Sequence, residues 1–357
     1  MKTLRDDILD ISRQNQTGEL SPWFSHQLDR LIKGDLFGCD YIFPDLNGVA
    51  LLAANICADL DRYKKETGVD TAVIGMSGGV DSAVTAALLK RAGWRVVGVT
   101  MPIYQDHAET DRGGEACNAL GIEHIHIDLT VEFDKMVRAL FDTCDPDLPD
   151  LNNKAARIRQ GNIRARLRMI TLYNIAAARN GLVASTDNYS ELAMGFWTLH
   201  GDVGDLSPIQ SLNKSWEVPA LARYLGVPEA TWRAKPTDGL GVDDGDEAQF
   251  GYTYLELDLM LFNITKTMSD GLTTDSFPNM WNNDVLGLRY DLAEFLDFGD
   301  DDHAHIVFDD LIDRMGSTWF KRMNPVNITH PFDKRRYIDL SAVDTDLFHP
   351  NIVKNIR

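Results

Sequence analysis

The chain has 357 residues, 44% hydrophobic and 25% charged, with a formal net charge of −19. That is a globular composition with enough apolar material for a sizeable core, arranged as one large domain or two. The acidic balance argues against non-specific binding to nucleic acid or to an anionic membrane. No apolar run approaches the roughly 18 residues that a spanning helix needs. The cysteines Cys39, Cys57, Cys117 and Cys144 form no C-x-x-C pair, so they read as reduced structural thiols of a cytoplasmic protein. Met1 to Asp10 has no signal-peptide apolar core.

In chain order, residues 1–45 hold short helical patterns that end in a loop rich in Gly, Asp and aromatics. A helix is predicted from Asn47, with Leu51, Leu52, Ile56 and Leu60 on one face. Thr71 to Gly75 reads as a strand, Asp81 to Ala92 as a helix, and Arg95 to Thr100 as a strand. Glu109 to Ala119 reads as a helix and His124 to Ile127 as a strand. This alternation predicts an α/β fold, a parallel β-sheet with helices on both faces. A long helix follows over Asn153 to Asn180 with Gly181 as its C-cap, then a strand at Leu182 to Ser185. Helices are expected at Tyr189 to Trp197, at Trp216 to Leu225 (stopped by Gly226 and Pro228) and at 254–268. Residues 270–315 give no clear pattern, and the signals after Pro331 are weak.

The sharpest feature is Ser77-Gly78-Gly79-Val80-Asp81-Ser82, between a strand and an apolar-faced helix. Glycines allow a tight turn and close approach to a ligand. Free N–H groups at the helix start suit a pyrophosphate, and two hydroxyls add donors. An acid in such a cradle is repulsive unless it holds Mg²⁺ against the phosphates, the role expected of Asp81. The plain alternative is an ordinary turn with Asp81 or Ser82 as a helix cap. A Walker P-loop and a G-x-G-x-x-G dinucleotide fingerprint are both missing.

This hexamer resembles the signature of the ATP-pyrophosphatase superfamily, and blocks further along select one branch of it. Asn162 to Met169 (NIRARLRM) resembles a helix motif of the ammonia-dependent NAD synthetases. So do Ser185 to Glu191 continuing to Thr198, Gly201 to Asp205 with Pro208, Leu212 and Lys214, and Ala222 to Pro228. Lys235 to Leu240, Phe250 to Tyr254 and Phe320 to Val326 complete the series in order. The likeness covers about 48–268 plus the last fragment. It implies an adenine-nucleotide-α-hydrolase-like, Rossmann-like domain at 46–270. An N-terminal helical extension at 1–45 and a C-terminal extension at 271–357, including 320–326, would flank it.

The resemblance implies a ligase that amidates deamido-NAD with ammonia, using ATP and Mg²⁺ and releasing AMP and pyrophosphate through an adenylated carboxylate. In it Gly75, Met76, Ser77, Gly78, Gly79, Val80, Asp81 and Ser82 would hold the ATP phosphates, with Thr186, Thr237 and Lys214. Asp81 and Glu191 would ligate the metal. Arg166, Asp205 and Lys321 would bind the dinucleotide. Asp81, Lys214 and Asp205 would be catalytic. The family's enzymes are homodimers with the dinucleotide site at the interface. Leu199, Phe320 and Ser185 depart from the family pattern and touch substrate recognition rather than the phosphate loop. Residues 1–45 leave no room for a glutaminase domain ahead of the core, which points to free ammonia as nitrogen donor.

Three other features are weighed separately. Helical spacing rotates Arg164, Arg166 and Arg168 by about 200° per step, so they cannot all face one side. His124 and His126 share a strand face and read as structural for want of a third ligand. Asp238 to Glu247 is an acidic glycine-rich loop, read as closing over ATP rather than as a calcium loop. The competing functions are another enzyme of the superfamily (GMP synthetase-like or tRNA-modifying) and a catalytically silent dinucleotide-binding protein.

Overall fold

Short runs of β-branched and small apolar residues pair as a four-stranded sheet: β1 (Thr71–Gly75), β2 (Arg95–Thr100), β3 (Glu123–His126) and β4 (Leu182–Ala184). The order is β3-β2-β1-β4 and every pairing is parallel, with Val73 opposite Val97 and Val183, and Val99 opposite Ile125. Parallel strands need crossovers, and helices supply them. The computed structural model describes residues 9–10, 12, 19–33, 46–237, 245–271 and 289–322. All lie in one unit, Met1–Arg322. Cys39, residues 238–244 of the acidic loop, 272–288, Met323 to Val326 and the tail to 357 lie outside the described residues.

Two-residue alternation sends β1 side chains to opposite faces. Ala72 and Ile74 pack with α2 (Leu46–Thr67), α3 (Val80–Arg91), α4 (His107–Leu120) and α8 (Glu217–Leu225). Val73, Val97, Val99 and Val183 pack with α5 (Thr130–Thr143) and α6 (Lys154–Ala178). Helix α3 is buried from Ser82 through Leu89, which is why its sequence is apolar nearly all round. In α2 the core face is Val49, Ala53 and Leu60, and the expected member Leu51 turns to solvent.

A third core is wholly helical. It joins α1 (Pro22–Lys33), α7 (Tyr189–Met194), α10 (Asp246–Phe250), α11 (Tyr254–Gly271), α12 (Arg289–Leu296) and α13 (Asp302–Ser317). Two small helices, α9 (Glu229–Trp232) and α14 (Trp319–Arg322), complete the described elements. Three expectations need correction. Helix α6 is capped at Arg179, and the left-handed residue is Asn180 rather than Gly181, although the Gly181 N–H still closes on Ala176 O at 2.8 Å. Helix α7 stops at Met194, because Gly195 turns left-handed. Helix α5 forms where no element was expected.

Candidate active site

The turn between β1 and α3 has the shape its glycines permit. Gly78 sits at φ +86, and a Cβ there would lie 2.0 Å from the Glu109 carbonyl oxygen. Any larger residue therefore forces the loop away from α4. The Ser77 and Ser82 hydroxyls lie 3.2 Å apart, and Ser82 also donates to Gly79 O at 3.1 Å. Gly79 is the N-cap of α3 and offers no side-chain cap, so the first N–H groups of that helix point out of the turn unclaimed by a capping side chain.

A cavity of about 490 Å³ opens in front of this helix end. Its lining includes Gly75, Met76, Ser77, Gly78, Gly79, Val80 and Asp81 from the loop, with Thr186, Glu191, Lys214, Thr237 and Lys321. Five separate stretches of chain thus converge where the sequence motifs expected them. Ser82 is buried beneath the loop and does not line the cavity.

Lys214 is the centre of the charge arrangement. It is 9% exposed, its ammonium pairs with Asp81, and Glu191 Oε1 is 3.6 Å away. The Tyr254 ring centroid lies 5.5 Å from the same nitrogen. Burial alone would depress this ammonium, but Asp81 and Glu191 push it above the ordinary lysine range. Glu191 is also the third residue of a capping box: Asn188 Oδ1 accepts from Glu191 N at 3.0 Å, and Glu191 Oε2 accepts from Asn188 N at 3.2 Å. The Asn188 amide donates to Asp81 Oδ1 at 3.2 Å, tying α7 to the phosphate loop.

Burial pushes Glu191 well up; Lys214 opposes this, while Asp81, Asp187 and Asp246 reinforce it. Burial, with Asp202 and Asp81 nearby, also lifts Asp187 to about 7. Around Lys214 the carboxylates Asp81, Glu191, Asp187 and Asp246 outnumber the ammonium, the donor chemistry that a hard divalent cation answers. No group of three or more His, Cys, Asp or Glu among the described residues is arranged to hold a metal alone. The fit is to an ion shared between Asp81, Glu191 and phosphate oxygens.

More of the lining comes from α6 and the β4–α7 connection. Arg168 lines the cavity and donates to Met101 O at 3.0 Å and Gln105 Oε1 at 3.3 Å. Burial lowers it to about 10, still a cation at neutral pH. Arg112 also lines the cavity and donates to Gly78 O at 3.3 Å. Glu109 accepts from Gln105 Nε2 at 2.9 Å and from Thr237 Oγ1 at 3.0 Å, which draws the 235–237 segment to the loop. Lys321 reaches in from α14, donating to Gly195 O and Trp197 O at 2.6 Å each. Asp202 also lines the cavity, and Thr198 N donates to it at 2.6 Å.

Two expected residues stand elsewhere. Asp205 accepts from Tyr173 Oη at 3.1 Å and Val183 N at 2.9 Å, fixing the strand end, and is not part of the cavity lining. Arg166 is exposed on α6 and donates to Leu199 O at 3.2 Å. Arg112, Gln105, Glu109, Asn188 and Asp202 were not singled out from sequence, and Arg168 was weighed only as one of three arginines that cannot share a face. For Arg168 the signal existed: it precedes the core residue Leu172 by four, so it shares that inward face, whereas Arg166 is turned away from it. His124 Nε2 and His126 Nδ1 each lie 2.9 Å from Thr100 Oγ1, a local strand-edge arrangement.

Known proteins resemble the chain in sequence and in fold. A sequence model of the NAD synthase family matches residues 52–289. The chain is 35% identical over 225 residues to the NH(3)-dependent NAD(+) synthetase of Finegoldia magna, covering 61% of this chain and 88% of that protein. The solved NH3-dependent NAD synthetase of Campylobacter jejuni, in complex with nitrate, superposes at TM-score 0.56 with 26% identity, covering 79% of this chain and 99% of that one. An NMN synthetase from Francisella tularensis shares the fold at TM-score 0.59 and 24% identity, covering 80% and 99%.

Proposed function

The chain belongs to the NAD synthase family, and from that premise we propose that it amidates deamido-NAD with ammonia, consuming ATP and yielding NAD, AMP and pyrophosphate. One observation carries the reading: the uncapped start of α3 opens into the same cavity as Asp81, Glu191 and Lys214.

A carboxylate does not react with ammonia near neutral pH, because oxide is a hopeless leaving group. Attack of a nicotinate carboxylate oxygen on the ATP α-phosphorus forms one P–O bond and breaks the bond to pyrophosphate. Ammonia then attacks the acyl carbon of the mixed anhydride, AMP leaves with the bridging oxygen, and the amide remains after loss of a proton. The loop from Gly75 to Ser82, with the dipole of α3, orients the phosphates. Lys214 offsets charge that grows on the departing pyrophosphate. Thr186 and Thr237 line the cavity as candidate contacts to the nucleotide, and Arg168 adds a further cation to the lining. Asp81 and Glu191 would hold a magnesium ion, which would supply further charge neutralisation at the phosphates.

The dinucleotide extends beyond the cavity in this reading, over the outer side of α6. Ile170 and Tyr173 are exposed there, Ile170 at 59%, on the helix that also presents Arg166 outward. Exposed apolar side chains on one helix suit a second copy of the chain. A cytoplasmic homodimer whose partner completes the site at Arg166 and Asp205 accounts for the two residues that the cavity alone leaves aside. Among the described residues no helix is long and apolar enough to cross a membrane.

The test is a coupled assay of purified protein with ATP, Mg²⁺ and either ammonium or glutamine. Deamido-NAD with ammonium is expected to give NAD, AMP and pyrophosphate in equal amounts, with glutamine ineffective. Preference for nicotinate mononucleotide would move the substrate assignment, and AMP release without amide would overturn it.

A further inference from the structure

Asp258 plays no part in the chemistry above, yet it is a carboxylate only 2% exposed between Leu257 and Leu259 of the helical core. A buried charge is costly unless hydrogen bonds satisfy it. Here the donors are Ser215 N at 2.8 Å, Ser215 Oγ at 2.6 Å and the hydroxyl of Ser190. Ser190 Oγ in turn accepts from Lys214 N at 3.1 Å. The carboxylate therefore joins three elements: α11, the start of α7 one residue before Glu191, and the segment that carries Lys214. One turn earlier on the same face of α11, Tyr254 lies under the Lys214 ammonium.

Resting on the function proposed above, we infer that Asp258 is the positioning residue that sets the distance between Lys214 and Glu191. The capping box fixes Glu191 only within its own short helix and does not set its distance to Lys214. Lys214 follows a non-helical stretch, and Glu191 sits in a helix of six residues, too short to be rigid alone. Their mutual geometry comes from a shared anchor in the helical core. Small displacement of such groups is felt in the rate: misplacement by about 1 Å lowers catalysis on the order of 100-fold.

The variant is Asp258→Asn, which keeps size but loses one acceptor. Asn263→Ala is the control, since Asn263 is buried on the same helix and bonds only Leu259 O among the contacts described, at 2.8 Å. Two readouts apply to the full chain. In kinetics, Asp258→Asn is expected to lower kcat for NAD formation roughly 10- to 100-fold with KM for ATP moved less than about threefold. In lysine ¹⁵N NMR, the ammonium signal assigned to Lys214 (absent in Lys214→Met) is expected to shift or broaden in Asp258→Asn and to stay unchanged in Asn263→Ala. If Asp258→Asn does not fold, Ser190→Ala breaks the same chain and is expected to reproduce both changes. The inference is overturned if kcat stays within about twofold of wild type and the Lys214 signal does not move, so that only the melting temperature falls. Wild-type protein that makes no NAD would refute the functional reading, while the NMR comparison would still decide the role of Asp258.

Discussion

At the residue scale, the site concentrates its demands on Lys214 and Gly78. Lys214→Met leaves Asp81 and Glu191 side by side without their cation and removes the charge facing the leaving group. AMP formation at saturating ATP is expected to fall about 100- to 1000-fold, the size seen when a fixed charge-stabilising donor is lost. Near-normal turnover would place the leaving-group cation elsewhere. Gly78→Ala introduces a methyl group against the Glu109 carbonyl at positive φ. Backbone strain of about 1–3 kcal/mol is expected, read as a lower melting temperature together with weaker ATP binding by calorimetry. The phosphate loop, Glu191 and Lys214 were legible because each stands in a motif whose residue types state the chemistry. Asn188 and Asp258 were not, because a hydrogen bond between chain segments 107 or 43 positions apart leaves no local pattern.

At the element scale, α7 is the most heavily tied short helix. Its capping box holds one end, while Arg322 donates to Leu192 O and Ala193 O, each at 3.2 Å, at the other. Gly195 ends the helix at φ +63, where a Cβ would collide with Thr318. Asn188→Ala is expected to lower stability by about 1 kcal/mol through loss of the cap. It should also weaken activity, since Asn188 bridges to Asp81; an unchanged rate would sever α7 from the loop. Asp187, leading into α7, makes stability depend on pH. Its folded carboxyl is pushed to about 7 by burial and its acidic neighbours, while in the unfolded chain it ionises near the ordinary carboxylate value. Between roughly pH 4 and 7 the folded state holds a proton that the unfolded state has lost, so this group's contribution falls as pH rises through that window. Asp187→Asn is therefore expected to gain on wild type from pH 5 to pH 8 in urea unfolding without Mg²⁺. A constant difference would contradict the assignment. Helices α5 and α13 escaped sequence reading although α13 buries Ala304, Val307, Phe308, Leu311, Ile312 and Met315 at helical spacing. The aspartates between those positions hid the stripe.

At the scale of the whole molecule, the parallel sheet was legible because short apolar runs alternate with helices and such runs can be joined only by crossovers. The helical core was not, because α1, α11 and α13 are distant in sequence and only the fold shows that they share an interior. The outer face of α6 has a consequence for assembly. Ile170→Glu is expected to shift a concentration-dependent dimer to monomer in sedimentation velocity and to raise KM for deamido-NAD more than KM for ATP. Unaltered sedimentation would remove α6 from the interface.

The central claim is that the loop at Ser77 to Ser82 presents the ATP α-phosphorus to the substrate carboxylate. Deamido-NAD labelled with ¹⁸O in its carboxylate, turned over with ATP, Mg²⁺ and ammonium, tests it by mass spectrometry of the products. AMP carrying one labelled oxygen, with unlabelled pyrophosphate, is the predicted result. Label in pyrophosphate or in inorganic phosphate, with none in AMP, would contradict it.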